Sequence, residues 1–354
     1  MSASGFPRIH VRQFPSRMPF SLPRWISIPS RARPRRHAYH YEHVLGTSFE
    51  LTVVATGTTA ARRAESVALA EVDRLEAILS GWSTTSELAR WTATRDVDVA
   101  VSPELVDVLH ASDVWRVLTG RAFDPAAQAI IALLRDGAGE RSEDDALGEL
   151  LTSLRGPLWH VDRRAGIARR LTPHAISVDA IAKGYIVTRA AALARAVDGV
   201  SEVLLNVGGD IQHLGERSVT VGVTDPFAPA ENAAPIAVVR LKNAAIATSG
   251  GYRRGFIAHG RRVSHIVDPR TGQPAEHIAS ASAFAPDCAT ADALSTAFSV
   301  LAPHESVALA DSLRDVGCLV VERDGSITTN ATWSAHAIAP HQFTSEESID
   351  ARYA

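Results

Sequence analysis

Lysine is nearly absent from this 354-residue chain: Lys183 and Lys242 stand against 34 arginines. Such a bias looks like codon composition, and a Lys kept inside a glycine-flanked motif marks a position that wants a compact ammonium. Cysteine is as scarce. Cys288 and Cys318 exclude a disulfide framework by count, give no metal signature, and read as buried small hydrophobes. The hydrophobic fraction is 46%, yet no run of about 18 apolar residues appears, so no helix of the chain is expected to span a membrane. Acid is missing from residues 1–41, which hold eight arginines and no Asp or Glu. The other 313 residues carry 28 basic against 39 acidic groups, a balance of −11 that argues against nucleic-acid binding by the folded part.

What is present begins with organisation. Residues 1–40 are rich in Pro, Arg and Ser without apolar periodicity and read as a disordered tail. Arg35-Arg36 is followed by no apolar h-region and no lipidation cysteine, so the expectation is a cytoplasmic protein. One domain is expected over 41–340, with a short tail at 341–354. A strand is expected at Phe49–Ala55 and a helix from about Ala60 to Ser80, with Ala68, Val72, Leu75 and Leu79 on one face and Gly81 as its stop. Ser102-Pro103-Glu104 opens another helix, with a stripe of Leu105, Val108, Leu109 and Ser112. A central helix covers about Ile181–Val197. Strands are expected at Glu202–Leu205, Val219–Val223, Ile236–Leu241 and Cys318–Glu322. Short strands mixed with long helices, without regular βαβ alternation, make the fold class α+β.

Four stretches carry chemistry. In Thr290–Leu301 a helix would gather Leu294, Ala297, Phe298 and Leu301 on one stripe and stack Asp292 and Thr296 on the other face. A carboxylate and a hydroxyl one turn apart are hard oxygen donors suited to Mg²⁺; alone, the pair also suits a solvated polar face. Ser177-Val-Asp179-Ala180-Ile-Ala182-Lys183-Gly184-Tyr185 turns from extended chain into helix, where free amides and a positive helix end meet an anion and Lys183 can meet a phosphate. Asn206-Val-Gly208-Gly209-Asp210-Ile211 and Thr248-Ser249-Gly250-Gly251 each follow an apolar strand, and match neither a dinucleotide nor a Walker fingerprint. Ser264–Pro274 holds His265 and Asp268 beside Asp-Pro-Arg-Thr-Gly turn chemistry, placed for proton transfer or for holding a phosphate.

Taken in order, these stretches resemble the FAD:protein FMN transferase (ApbE) family. The matching elements are Leu45-Gly46-Thr47, Ser80-Gly81-Trp82 with Ser86-Glu87, Ala122-Phe123-Asp124-Pro125, Ile181 through Tyr185, Asn206 through Ile211, Thr248-Ser249-Gly250, His265 through Pro274 and Thr290 through Thr296. They span roughly residues 43–301. The resemblance implies an α+β fold of the tunnelling (T-fold-like) type with mixed sheets and packed helices, FAD as substrate, Mg²⁺, and a target flavoprotein that offers a Ser or Thr hydroxyl. It also implies roles. Asp292, Thr296 and the Ala180 carbonyl match the metal-binding positions. Trp82 matches an aromatic set against flavin or adenine. Leu45, Ala122, Phe123, Asp124, Ser177, Lys183 and Ile266 fall at or beside FAD contacts, with Asp179 as a substitute near Ser177. His265 lies near the pyrophosphate; His265 or Asp292 would assist the departing proton, and Lys183 would add a positive contact.

The chain departs from the family pattern at Leu45, where Met is usual, at Ser177, where Asp is usual, and at Thr92, where Asn often stands. The lipoprotein signal of exported members is not seen. Thr92 keeps open an Mg²⁺-dependent FAD pyrophosphatase releasing FMN and AMP. A flavin-binding protein without turnover is the reading from another class.

Overall fold

The computed structural model describes residues 33–137, 142–229, 233–251, 255–258, 261–339 and 351–352. The chain opens with a hairpin: β1 (Arg35–Val44) returns through Leu45-Gly46 into β2 (Thr47–Ala55). Order therefore starts before the expected Tyr41. The segment Arg35–Tyr39 has little apolar content of its own, and it is the antiparallel ladder with Leu51–Ala55 that makes it a strand. Residues 1–32 of the expected 1–40 tail, and most of 341–354, lie outside the described residues.

Helix α1 (Thr58–Leu79) buries the expected face of Ala68, Val72, Leu75 and Leu79. It is followed by α2 (Glu87–Thr92), capped by Ser86, and the short β3 (Val99–Ala100). Helix α3 (Pro103–Leu118) starts as expected: Ser102 caps it, Pro103 fills the first turn, and Leu105, Val108, Leu109 and Ser112 are all buried. Then come α4 (Ala127–Asp136), α5 (Glu143–Ser153), β4 (Trp159–Asp162) and β5 (Ile167–Arg170). Strands β3, β5 and β4 form a small antiparallel sheet.

The central helix α6 (Asp179–Arg195) leads into β6 (Val200–Val207), β7 (Asp210–Leu214), β8 (Val219–Val223), β9 (Ala237–Leu241) and β10 (Ala244–Gly250). A hairpin of β11 (Gly255–Ala258) and β12 (Arg261–Ser264) precedes β13 (Ile278–Ala285), α7 (Cys288–Phe298) and α8 (Pro303–Asp311). The described chain continues as β14 (Gly317–Glu322), β15 (Ile327–Thr329), α9 (Ala331–His336), β16 (Ala337–Ile338) and β17 (Ala351–Arg352).

Eight strands build the main sheet in the order β1-β2-β6-β7-β10-β13-β14-β15, antiparallel throughout. Its two faces hold two cores, and strand alternation decides which residue goes where. On β10, Ala245 and Ala247 face α6 and α7, whereas Ala244 and Ile246 face a second sheet of β16-β9-β8-β17. On β6, Val203, Leu205 and Val207 join the helical core and Leu204 the other. The result is the expected α+β class. Cys288 and Cys318 are free and buried, as expected.

Candidate functional site

The site forms where α6 crosses α7. Gly184 permits the crossing: a Cβ there would lie 2.2 Å from the Cys288 carbonyl oxygen and 2.8 Å from the Asp292 Cβ. Asp287 caps α7 by accepting from the Thr290 amide (2.9 Å), and the Cys288 amide donates to Thr188 on α6 and Gln212 on β7 (3.0 Å each). These bonds fix how far α7 slides along α6. Asp292 then points at the start of α6, and its Oδ2 accepts from the Gly184 amide (3.1 Å). That amide is the helical partner of the Ala180 carbonyl, so carboxylate and carbonyl converge on one N–H. Thr296 follows one turn later, half-buried, with its Oγ1 3.5 Å from the Ser249 hydroxyl. The polar face of α7 is not solvated: Asp292 is only 5% exposed.

The Lys183 ammonium, expected to meet a phosphate, also has a protein partner. It sits against the carboxylate of Asp210, the first residue of β7. Asp210 is itself 2% exposed, and its charge bears on Asp292. In the sequence Asp210 is only a member of the Asn206–Ile211 glycine turn, with no sign of a buried ion pair. Two buried carboxylates thus lie close together, and the ammonium pairs with one of them, Asp210. Burial, then the charge of Asp210, pushes Asp292 up to about 8. Burial likewise raises Asp210 against the opposing pull of Lys183. Burial lowers Lys183, but Asp210 and Asp292 together outweigh it and the net shift is upward. A cluster that retains protons in this way has a deficit of positive charge, and a divalent cation fits it.

Among the described residues no group of three His, Cys, Asp or Glu side chains forms a ready metal cage. The donors available are one carboxylate, one hydroxyl and one backbone carbonyl. Mg²⁺ suits such a set because it keeps several waters and takes further oxygens from a bound phosphate.

Around this centre stand the other expected positions. Ser177 sits just before α6, where its Oγ accepts from the Asp179 amide (3.1 Å) and its own amide donates to the Pro125 carbonyl (2.9 Å). Gly81 packs beside Asp179, with a Cβ placed there only 3.1 Å from Asp179 Oδ1. The loop between α1 and α2 closes on itself through Ser80, whose Oγ lies 3.3 and 3.2 Å from the amides of Trp82 and Ser83. It presents Trp82 to solvent at 85% exposure, next to the start of α6. Leu45 turns the first hairpin. The neighbouring Thr47 packs against Gly208, in the turn that leads to Asp210. Leu45 (φ 51°) and Gly46 (φ 73°) are both left-handed, the geometry of a type I′ turn, which favours Asn over Leu.

Asp124, expected at or beside an FAD contact, spends its carboxylate on the protein. Its side chain is fully buried, Oδ2 accepts from Arg116 Nε and Arg121 Nε (2.9 Å each), and Oδ1 accepts from the Ala126 amide (2.9 Å). Ala122 and Phe123 are buried with it. The carboxylate therefore holds the 122–126 loop, and through Pro125 the start of α6. His265 is half-buried after β12, followed by Ile266, whose amide donates to Ser264 Oγ (3.0 Å) and whose carbonyl accepts from Ala275 (3.0 Å). Asp268 is bound to Arg270. Thr92 donates its hydroxyl to the Ala89 carbonyl (3.0 Å) of its own helix.

The ApbE family model matches residues 45–320. The FAD:protein FMN transferase of Treponema pallidum is 32% identical over 334 residues, spanning 86% of this chain and 90% of that protein. That of Haemophilus influenzae is 25% identical over 306 residues, spanning 81% and 87%. Among solved structures, the ApbE protein of Thermotoga maritima is similar at a TM-score of 0.74 and 26% identity, covering 86% of this chain and 100% of that one. The apo flavinyl transferase ApbE of Pseudomonas stutzeri shares the fold at a TM-score of 0.71 and 22% identity, covering 86% and 97%.

Proposed function

The chain belongs to the ApbE family, and on that premise we propose that it is an FAD:protein FMN transferase using Mg²⁺. The observation that carries the reading is the buried Asp292 carboxylate beside the Ala180 carbonyl, one helical turn from Thr296 and short of positive charge. Asp292, Thr296 and the Ala180 carbonyl would hold the metal, which supplies charge neutralisation on the pyrophosphate oxygens.

The chain's own groups do the rest. The α6 start and the Gly81–Trp82 loop beside it would position the FAD pyrophosphate and a ring of FAD. Lys183 has three donors, of which Asp210 takes one, so the ammonium can still meet a phosphate oxygen. A Ser or Thr hydroxyl of the target flavoprotein attacks the FMN-side phosphorus. The P–O bond toward the adenosine side breaks, and the bridging oxygen leaves with AMP. The hydroxyl proton goes to His265, because Asp292 is committed to the metal.

FAD turnover, followed as AMP release by chromatography, tests these roles alongside Mn²⁺ binding followed by electron paramagnetic resonance. Asp292→Ala is expected to abolish both turnover and Mn²⁺ binding. His265→Ala is expected to lower turnover roughly 100-fold or more while binding Mn²⁺ normally. Metal-dependent transfer retained by Asp292→Ala sinks the assignment.

A further inference from the structure

We propose that Asp210 is a positioning residue that keeps the Lys183 ammonium off Asp292, so that the metal-side carboxylate stays open to a divalent cation. The proposal rests on Asp292 being the metal carboxylate. Lys183 directly precedes Gly184, whose amide holds Asp292, so its side chain starts beside that carboxylate. The ammonium nevertheless pairs with Asp210. The chain goes to some length to put that carboxylate there. Asp210 follows a turn in which Gly208 (φ 60°) and Gly209 (φ 99°) are left-handed and Asn206 Oδ1 accepts from the Gly209 amide (3.0 Å). Asn206 is tied in turn to Glu50 on β2 (3.1 Å).

Charge explains the arrangement. Lys183 pairs with Asp210, leaving Asp292 with no ammonium that a cation would have to displace. Without Asp210, the nearest anion for the ammonium is Asp292 itself, and the cation would compete with a built-in lysine.

Mn²⁺ binding by electron paramagnetic resonance, on purified full-length variants whose folding is confirmed by circular dichroism, tests this. Asp210→Asn is expected to weaken Mn²⁺ roughly 10–100-fold. Lys183→Met combined with Asp210→Asn is expected to restore binding to within about threefold of the original, since the competing ammonium and its counter-ion leave together. Lys183→Met alone is expected to bind Mn²⁺ at least as tightly as the unaltered protein, which keeps the test open if Asp210→Asn fails to fold. Unchanged binding by Asp210→Asn, a double variant as weak as Asp210→Asn, or weakened binding by Lys183→Met overturns the proposal. Asp292→Asn separates the two layers of inference. If it binds Mn²⁺ normally the metal reading itself fails, whereas a weak Asp292→Asn with a normal Asp210→Asn removes only the role of Asp210.

Discussion

Single residues near the site carry conformations that ordinary turn chemistry would avoid. Leu45 holds a left-handed backbone at a position where Asn is preferred, and a branched side chain there costs about 1–2 kcal/mol. Such strain persists at sites where the side chain is needed. Leu45→Asn is therefore expected to raise the thermal midpoint while weakening FAD binding, measured by calorimetric unfolding and by flavin fluorescence titration. A lower midpoint would show that Leu45 is kept for packing instead. Some of this scale could be read before the fold was known. Asp292 and Thr296 followed from helical periodicity, and Lys183 stood out by the rarity of lysine. Asp210 did not, because its partner lies 27 positions earlier on another element, and no local pattern announces a buried ion pair. The Arg116 and Arg121 partners of Asp124 were not legible either, since neither stands out among 34 arginines.

At the scale of elements, the start of α6 is held from several sides, and one of them is a buried arginine. Arg116, near the end of α3, spans Asp124, the Leu154 carbonyl (2.6 Å) and the Gly156 carbonyl (3.2 Å). It thereby ties α3, the loop carrying Pro125 and the end of α5 into one unit. Arg116→Ala is expected to cost roughly 3–5 kcal/mol in urea unfolding, since it leaves a buried carboxylate half-paired. Arg116→Lys should not restore it, because an ammonium cannot reach three acceptors in the plane of a guanidinium. A loss below about 1 kcal/mol would contradict the clamp. Helices were the most readable elements. The caps at Ser102 and the stripes of α1 and α3 follow from local sequence alone. Strand β1 was not readable, since its order comes from hydrogen bonds to β2 rather than from apolar residues of its own.

For the whole molecule, one antiparallel sheet separates two cores, and the site lies on the helical side where α6, α7 and the β6–β7 turn meet. No helix among the described residues is long and apolar enough to cross a membrane. The α+β class was readable from the absence of βαβ alternation, and the family from the order of its motifs. The strand order was not, because it depends on which distant segments pair. The central claim is that this architecture moves FMN onto another protein. The most direct test is the intact mass of a small flavoprotein carrying a Ser/Thr acceptor, measured after incubation with this protein, FAD and Mg²⁺. The account predicts an FMN-sized gain on the acceptor that disappears when EDTA is added. AMP and free FMN released beside an unmodified acceptor would contradict it and identify the reaction as hydrolysis.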